Sequence, residues 1–163
     1  MMDTRPLRIV PVTMSETARP TDSAAAVTTV SSTVMTDQAA LGTRVLVVDD
    51  EPQVVWVLQF SLEAEGYTTF AARNGVQAMN AIAEHHPQLM LLDIMMPTMD
   101  GWSVLEEMMQ LPREERPRVV VVSAMSNLRD RAKAEEMGAD AFMPKPFDVD
   151  DLLVVLQGLE KAS

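Results

Sequence analysis

The chain has 163 residues, the size of one compact domain, and 47% of them are hydrophobic, enough for a sizeable core. Its 24 acidic and 13 basic side chains give a formal charge of −11, which argues against wrapping nucleic acid or lying on an anionic membrane surface. The lack of cysteine excludes disulfides, Cys-ligated zinc, iron–sulfur clusters and a thiol nucleophile. No apolar run approaches the ~20 residues of a membrane span, and Ile9-Val10-Pro11-Val12 is too short for a signal-peptide core. A cytoplasmic location is therefore expected.

Residues 1–42 are rich in Thr, Ser, Ala and Pro and sustain no helical or strand period. They hold 4 acidic and 3 basic residues, so the remaining chain carries almost all the charge. Such a tract buries too little apolar area to offset its ordering entropy, and a disordered N-terminal extension is expected. A docking segment is the alternative, as is a true start at Met35, just ahead of the first strand. Residues 43–163 are expected to form the domain.

From Arg44 the pattern is regular. Val45-Leu46-Val47-Val48 is an unbroken apolar run, as a strand covered on both faces requires, and it ends in Asp49-Asp50-Glu51-Pro52. Pro52 suits the first turn of a helix and the acids its positive end. Val54, Leu58 and Leu62 recur at helical spacing, and Gly66 stops the helix. Residues 67–72 read as a short strand. Asn74-Gly75 opens a second helix, expected to bury Val76, Met79, Ile82 and Ala83 and to end before Pro87.

Leu89-Met90-Leu91-Leu92 is a second buried strand, ending in Asp93. A loop with Pro97 and Asp100-Gly101 leads to a third helix bearing Val104, Leu105 and Met108. Residues 119–122 form the fourth strand, ending at Ser123. The fourth helix, about 127–137, is mostly charged, with Leu128, Met137 and some alanines to bury. Gly138 caps it. Ala141-Phe142-Met143 is a fifth strand, followed by Pro144-Lys145-Pro146. Asp148 caps a last helix with Leu152, Val155, Leu156 and Leu159 on its apolar face. Five strands alternating with five helices imply an α/β fold, a doubly wound parallel sheet with helices on both sides and right-handed crossovers.

In open parallel sheets the ligand site lies beyond the carboxyl ends of the strands. Those ends carry Asp49 and Asp50, Asp93, Ser123 and Lys145. Singly, each has an ordinary structural reading: a helix cap, a turn residue, a surface lysine. If the first, third, fourth and fifth strands are neighbours, the set converges on one cleft. Three carboxylates together then require a proton or a cation, and oxygen-only ligands favour a hard ion such as Mg²⁺. Lys145 and the Ser123 hydroxyl could bind the oxygens of a phosphoryl group, and a carboxylate attacking phosphorus gives an acyl phosphate.

These residues resemble the receiver domain of response regulators. The resemblance rests on Val47-Val48-Asp49-Asp50-Glu51, on the stretch from Leu92-Asp93-Ile94-Met95 through Met96-Pro97-Thr98-Met99-Asp100-Gly101, on Val122-Ser123-Ala124, and on Pro144-Lys145-Pro146-Phe147. It implies a flavodoxin-like five-stranded sheet of order 2-1-3-4-5 with five helices. It further implies that Asp93 is the phosphoacceptor, that Asp50 ligates Mg²⁺ directly and Asp49 through water, and that the Met95 backbone carbonyl is another ligand. Ser123 would bind the phosphoryl group and Lys145 would pair with it. Phe142 falls at the aromatic switch position, often Tyr in the family, where Phe has no hydroxyl. The Lys145–Pro146 bond is commonly cis in the family. Met95 and Met125, two residues beyond Asp93 and Ser123, would flank the phosphoryl group and slow its hydrolysis.

The implied partners are a histidine kinase or histidine phosphotransfer protein as phosphohistidine donor, and a downstream protein on the face of the fourth helix, fifth strand and fifth helix. No nucleic acid or membrane partner is expected. The expected function is that of a single-domain response regulator in a phosphorelay, an enzyme only in catalysing its own phosphorylation and dephosphorylation. Two other readings stand beside it: a non-phosphorylated adaptor on the same fold, and an Mg²⁺-dependent phosphatase with an aspartyl-phosphate intermediate, for which Glu51 would have to replace the second acid usually found two residues after the nucleophile.

Overall fold

A computed structural model describes residues 42–125 and 127–162. The expectations of disorder in residues 1–42 and of a start at Met35 fall almost wholly outside the described residues. Among the described residues, five strands alternate with five helices: β1 (Arg44–Val48), α1 (Pro52–Ala64), β2 (Thr68–Ala72), α2 (Gly75–His85), β3 (Leu89–Asp93), α3 (Gly101–Met108), β4 (Arg118–Ser123), α4 (Leu128–Glu136), β5 (Ala141–Pro144) and α5 (Val149–Lys161). A 3-10 turn at Arg113–Glu115 leads into β4. All strand pairs are parallel, in the order β2-β1-β3-β4-β5. None of the described helices is long and apolar enough to cross a membrane.

Strand side chains alternate between faces, so an unbroken apolar run feeds two cores. Leu46 and Val48, Met90 and Leu92, Val119 and Val121 face one core, closed by Ala78 and Ile82 of α2, Val104, Leu105 and Met108 of α3 and Ala134 of α4. Val45 and Val47, Leu89 and Leu91, Val120 and Val122 face the other, closed by Val55, Leu58 and Leu62 of α1 and Leu152 and Leu156 of α5. Truncating a fully buried member such as Leu92 to Ala would cost about 2–5 kcal/mol.

Helix starts follow the caps in the sequence. Asn74, Asp100, Asn127 and Asp148 each accept a backbone N–H of the first turn through the side chain. Pro52 stands at the start of α1, where its missing N–H costs nothing; Glu51 makes no side-chain cap there. Gly66 and Gly138 hold φ of +90° and +93° just beyond α1 and α4, a conformation that favours glycine.

Two expected core faces are corrected. In α2, Val76 and Ala83 are exposed, and the buried positions are Gly75, Ala78, Ala81 and Ile82. At Gly75 the inward residue is small because Met99 packs against it, and a β-carbon there would lie 2.4 Å from the Met99 Cγ. In α4, Leu128 is 84% exposed and Met137 half-buried; Ala134 is the buried residue of the helix. Leu128 occupies the first turn, immediately after the Asn127 cap.

Candidate functional site

The sheet order changes direction between β1 and β3, which is where such sheets leave a crevice at the strand carboxyl ends. Val48 pairs with Leu92, so Asp49 and Asp93 leave the sheet side by side. Asp93 pairs with Val122 and Ser123 with Pro144, bringing Ser123 and Lys145 to the same end. The convergence that the sequence left conditional is therefore present.

Asp49 and Asp93 are buried and Asp50 half-buried, and oxygens from the three carboxylates lie within 4.8 Å of one another. The Lys145 ammonium donates to Asp49 Oδ2 at 2.7 Å and stands 3.6 Å from Asp93 Oδ2. The Glu51 N–H donates to Asp49 Oδ1 at 2.9 Å, and the Met95 N–H to Asp93 Oδ1 at 3.1 Å. Ser123 is fully buried; its Oγ accepts the Met125 N–H at 3.1 Å, while its carbonyl accepts the Lys145 N–H at 2.8 Å. The Lys145–Pro146 peptide bond is cis.

Burial pushes the Asp93 carboxyl above its ordinary range; Lys145 and the Met95 N–H pull it back, and Asp49 and Asp50 push it further up. Burial also pulls the Lys145 ammonium down, but the hydrogen bond and charge of Asp49, with Asp93 and Glu51, outweigh it and leave its pKa raised. Three acids, two of them buried, against one ammonium leave an excess of negative charge. An all-oxygen donor set of that charge fits a hard divalent cation such as Mg²⁺.

Phe142 is half-buried on β5, opposite Val121, and packs against the core beneath α2, α3 and α4. The two methionines expected to flank the phosphoryl group differ. Met125 is half-buried against the same core, whereas Met95 is 59% exposed. The end of β3 is closely packed: at Gly101 a β-carbon would lie 2.5 Å from the Asp93 carbonyl oxygen.

The sequence reading missed an apolar groove of about 500 Å³ beside the acids. It runs between α1 and the segment after β5, lined by Gln53, Val54, Val57, Lys145, Pro146 and Phe147. On α1, Trp56 and Phe60 are 66% and 64% exposed and stack at 5.6 Å between ring centroids. The signal was available: Val54-Val55-Trp56-Val57-Leu58 followed by Phe60 is more apolar than one buried face requires.

Residues 45–157 match the response regulator receiver domain family. Sporulation initiation phosphotransferase F of Bacillus subtilis is 36% identical over 109 residues, which cover 67% of this chain and 86% of that protein. Other curated relatives are longer, and the chain spans about a quarter to a half of their length, 24% of one and 50% of another. Among solved structures, a CheY-like receiver domain protein from Methanospirillum hungatei aligns with a TM-score of 0.68 at 28% identity, over 75% of this chain and 99% of that one. The receiver domain of a signal transduction histidine kinase from Syntrophus aciditrophicus aligns with a TM-score of 0.68 at 30% identity, over 74% and 92% of the two chains. With the sheet order and the acidic crevice in agreement, the chain belongs to the response regulator receiver domain family.

Proposed function

We propose that the chain takes a phosphoryl group from a phosphohistidine onto Asp93 in a Mg²⁺-dependent reaction, in the cytoplasm, and signals by phosphorylation-dependent protein contact. The carrying observation is the buried Asp93 carboxylate, held by the Met95 N–H with Lys145 at 3.6 Å and two further acids beside it. An Asp93 oxygen bonds to phosphorus as the bond to the donor imidazole breaks, and the electron pair of that bond stays with the imidazole nitrogen. Lys145 and the Ser123 hydroxyl take phosphoryl oxygens. Asp49, Asp50, Asp93 and the Met95 carbonyl would hold Mg²⁺, which when bound supplies positive charge against the carboxylates and the phosphoryl oxygens. The donor is a histidine kinase or histidine phosphotransfer protein, and an apolar helix of it would lie in the α1 groove, which reaches Lys145.

The output surface is that of α4, β5 and α5. α4 is lightly anchored, burying Ala134, while Leu128 and Val154 stand exposed on α4 and α5. A few favourable contacts to the new phosphoryl group can therefore shift this face, with Ser123 drawn toward the group and Phe142 moving inward by ring burial alone. Met95 and Met125 crowd the phosphoryl group and slow attack by water.

The test is phosphorylation by a small acyl phosphate, comparing wild type with Asp93→Ala on a phosphate-retarding gel. A shifted band that needs Mg²⁺, is cleaved by hydroxylamine and is missing from Asp93→Ala is the expected result. A folded wild type that takes no phosphoryl group from the small donor or from a histidine kinase would instead make the chain an adaptor on the receiver fold.

A further inference from the structure

Of the chain's fourteen methionines, Met95 is the most exposed among those described. It is 59% exposed, against 39% for Met109, and the others described are half-buried or buried. Among the described residues, the most exposed methionine is thus the one whose own N–H holds the Asp93 carboxylate. A side chain that accessible meets a dissolved oxidant ahead of Met90 and Met108, which the core shields.

We propose that Met95 is an oxidation site through which peroxide shortens the life of the phosphoryl group on Asp93; this rests on the phosphoacceptor role proposed above. Hydrogen peroxide transfers one oxygen atom to the Met95 sulfur. The sulfur is oxidised to the sulfoxide, and the peroxide is reduced to water. The product is reversible by methionine sulfoxide reductases.

The chemical consequence is local. As a thioether, the exposed Met95 side chain, whose backbone N–H bonds the Asp93 carboxylate, is apolar and orders no water. As a sulfoxide it carries a strong acceptor oxygen, which binds and orients water next to the acyl phosphate. Hydrolysis needs one water placed in line with the phosphorus–oxygen bond, so an acceptor there raises its rate. Oxidation therefore acts opposite to the slowing that the unmodified side chain provides.

The experiment uses the full chain, exposed to a graded dose of hydrogen peroxide and then phosphorylated with a small acyl phosphate and Mg²⁺. Peptide mass mapping gives the oxidised fraction at each methionine, and loss of the hydroxylamine-labile band gives the lifetime. Among the methionines of residues 42–162, Met95 is expected to be oxidised first, with the lifetime falling about threefold or more in step with its sulfoxide fraction, an effect set below the ~10²–10⁴ of a positioned acid–base group. A sulfoxide reductase should restore the original lifetime. Met95→Leu should lose the response to peroxide, and Met109→Leu should keep it. The proposal is overturned if another methionine of residues 42–162 oxidises first, if the lifetime is unchanged or longer with Met95 oxidised, or if Met95→Leu still responds. Failure of the phosphoacceptor reading itself shows separately, as absence of the band before any peroxide is added.

Discussion

Lys145 gives its ammonium to Asp49, at 2.7 Å, ahead of Asp93, at 3.6 Å. It thus neutralises a neighbour of the proposed phosphoacceptor, and only a small movement would take it to a phosphoryl group on Asp93. The raised Lys145 pKa has a definite sign. Its stabilisation is fully present below the unfolded-state pKa of about 10.4 and is lost as pH rises through the folded value. It therefore persists throughout neutral pH.

Replacing Lys145 with Met should lower stability at neutral pH by about 2 kcal/mol, because three clustered acids lose their counter-charge. Excess Mg²⁺ should return much of that loss by placing another cation among the same oxygens. Urea melts with and without Mg²⁺ measure both effects. An equal loss in the two conditions would show that the ammonium and the metal answer different charges.

Asp93→Asn should have the opposite sign. Burial raises the Asp93 pKa, so folding penalises its charged form. The folded state then binds more protons than the unfolded state between the two pKa values, and wild-type stability falls as pH rises through that window. The amide carries no such penalty, and Lys145 keeps its closer partner Asp49. Asp93→Asn is expected to be more stable than wild type by about 1 kcal/mol at neutral pH. The gap should close below pH ~4, where the carboxyl is neutral in both states. Melts across pH 3 to 8 would test the slope.

What was legible in the sequence divides along physical lines. The runs 45–48, 89–92 and 119–122 announced strands covered on both faces, because apolar side chains in unbroken series leave no solvated side. Asp49, Asp50, Asp93, Ser123 and Lys145 were legible as strand-end residues for the same reason. Their meeting depended on strand order, which came from likeness to a family and not from periodicity. Ile82, Met79, Ala134 and Met137 pack as read, while Val76 and Ala83 of α2 and Leu128 of α4 were misread because apolar character was taken as the sign of the inner face. Gly75 and Ala78 turned inward in α2, where Met99 leaves room for nothing larger at Gly75, and Leu128 was left outside. The α1 groove escaped because both faces of that helix are apolar, and spacing alone does not say which one the core covers.

Thr98 holds φ of +73° in the loop after Asp93, the left-handed region that a β-branched residue rarely adopts. Thr98→Gly should relieve that strain and raise stability by about 1 kcal/mol. Gly101→Ala should do the reverse, since its β-carbon would meet the Asp93 carbonyl oxygen and the Ile94 Cα, at 2.5 and 2.7 Å. A loss of about 2 kcal/mol, with slower acyl-phosphate uptake as the end of β3 shifts, is expected. Thermal melts and the uptake rate of each variant provide the check.

Met95→Asn places a permanent amide where the thioether stood, and it should shorten the phosphoryl lifetime about threefold or more without any oxidant. Met125→Lys should also shorten it. Because Met125 packs against the core under α2, α3 and α4, that change should cost about 1 kcal/mol of stability as well, whereas Met95→Asn should cost little. Decay of the hydroxylamine-labile species and a urea melt on the same samples separate the two effects.

The α1 groove predicts a difference between donors. A phosphohistidine protein must dock before it can transfer, and an exposed aromatic pair on the helix that walls an apolar groove is the kind of surface that carries docking energy. A small acyl phosphate needs no such contact. Trp56→Ala with Phe60→Ala removes side chains that the core does not use, so the fold should tolerate the change. Transfer from a cognate histidine kinase or phosphotransfer protein should fall at least about tenfold relative to uptake from the small donor, the equivalent of losing one contact of about 1.4 kcal/mol. Parallel transfer rates from the two donors give the ratio. If both rates fall together, the aromatic pair supports the catalytic crevice; if neither falls, the donor approaches from another face.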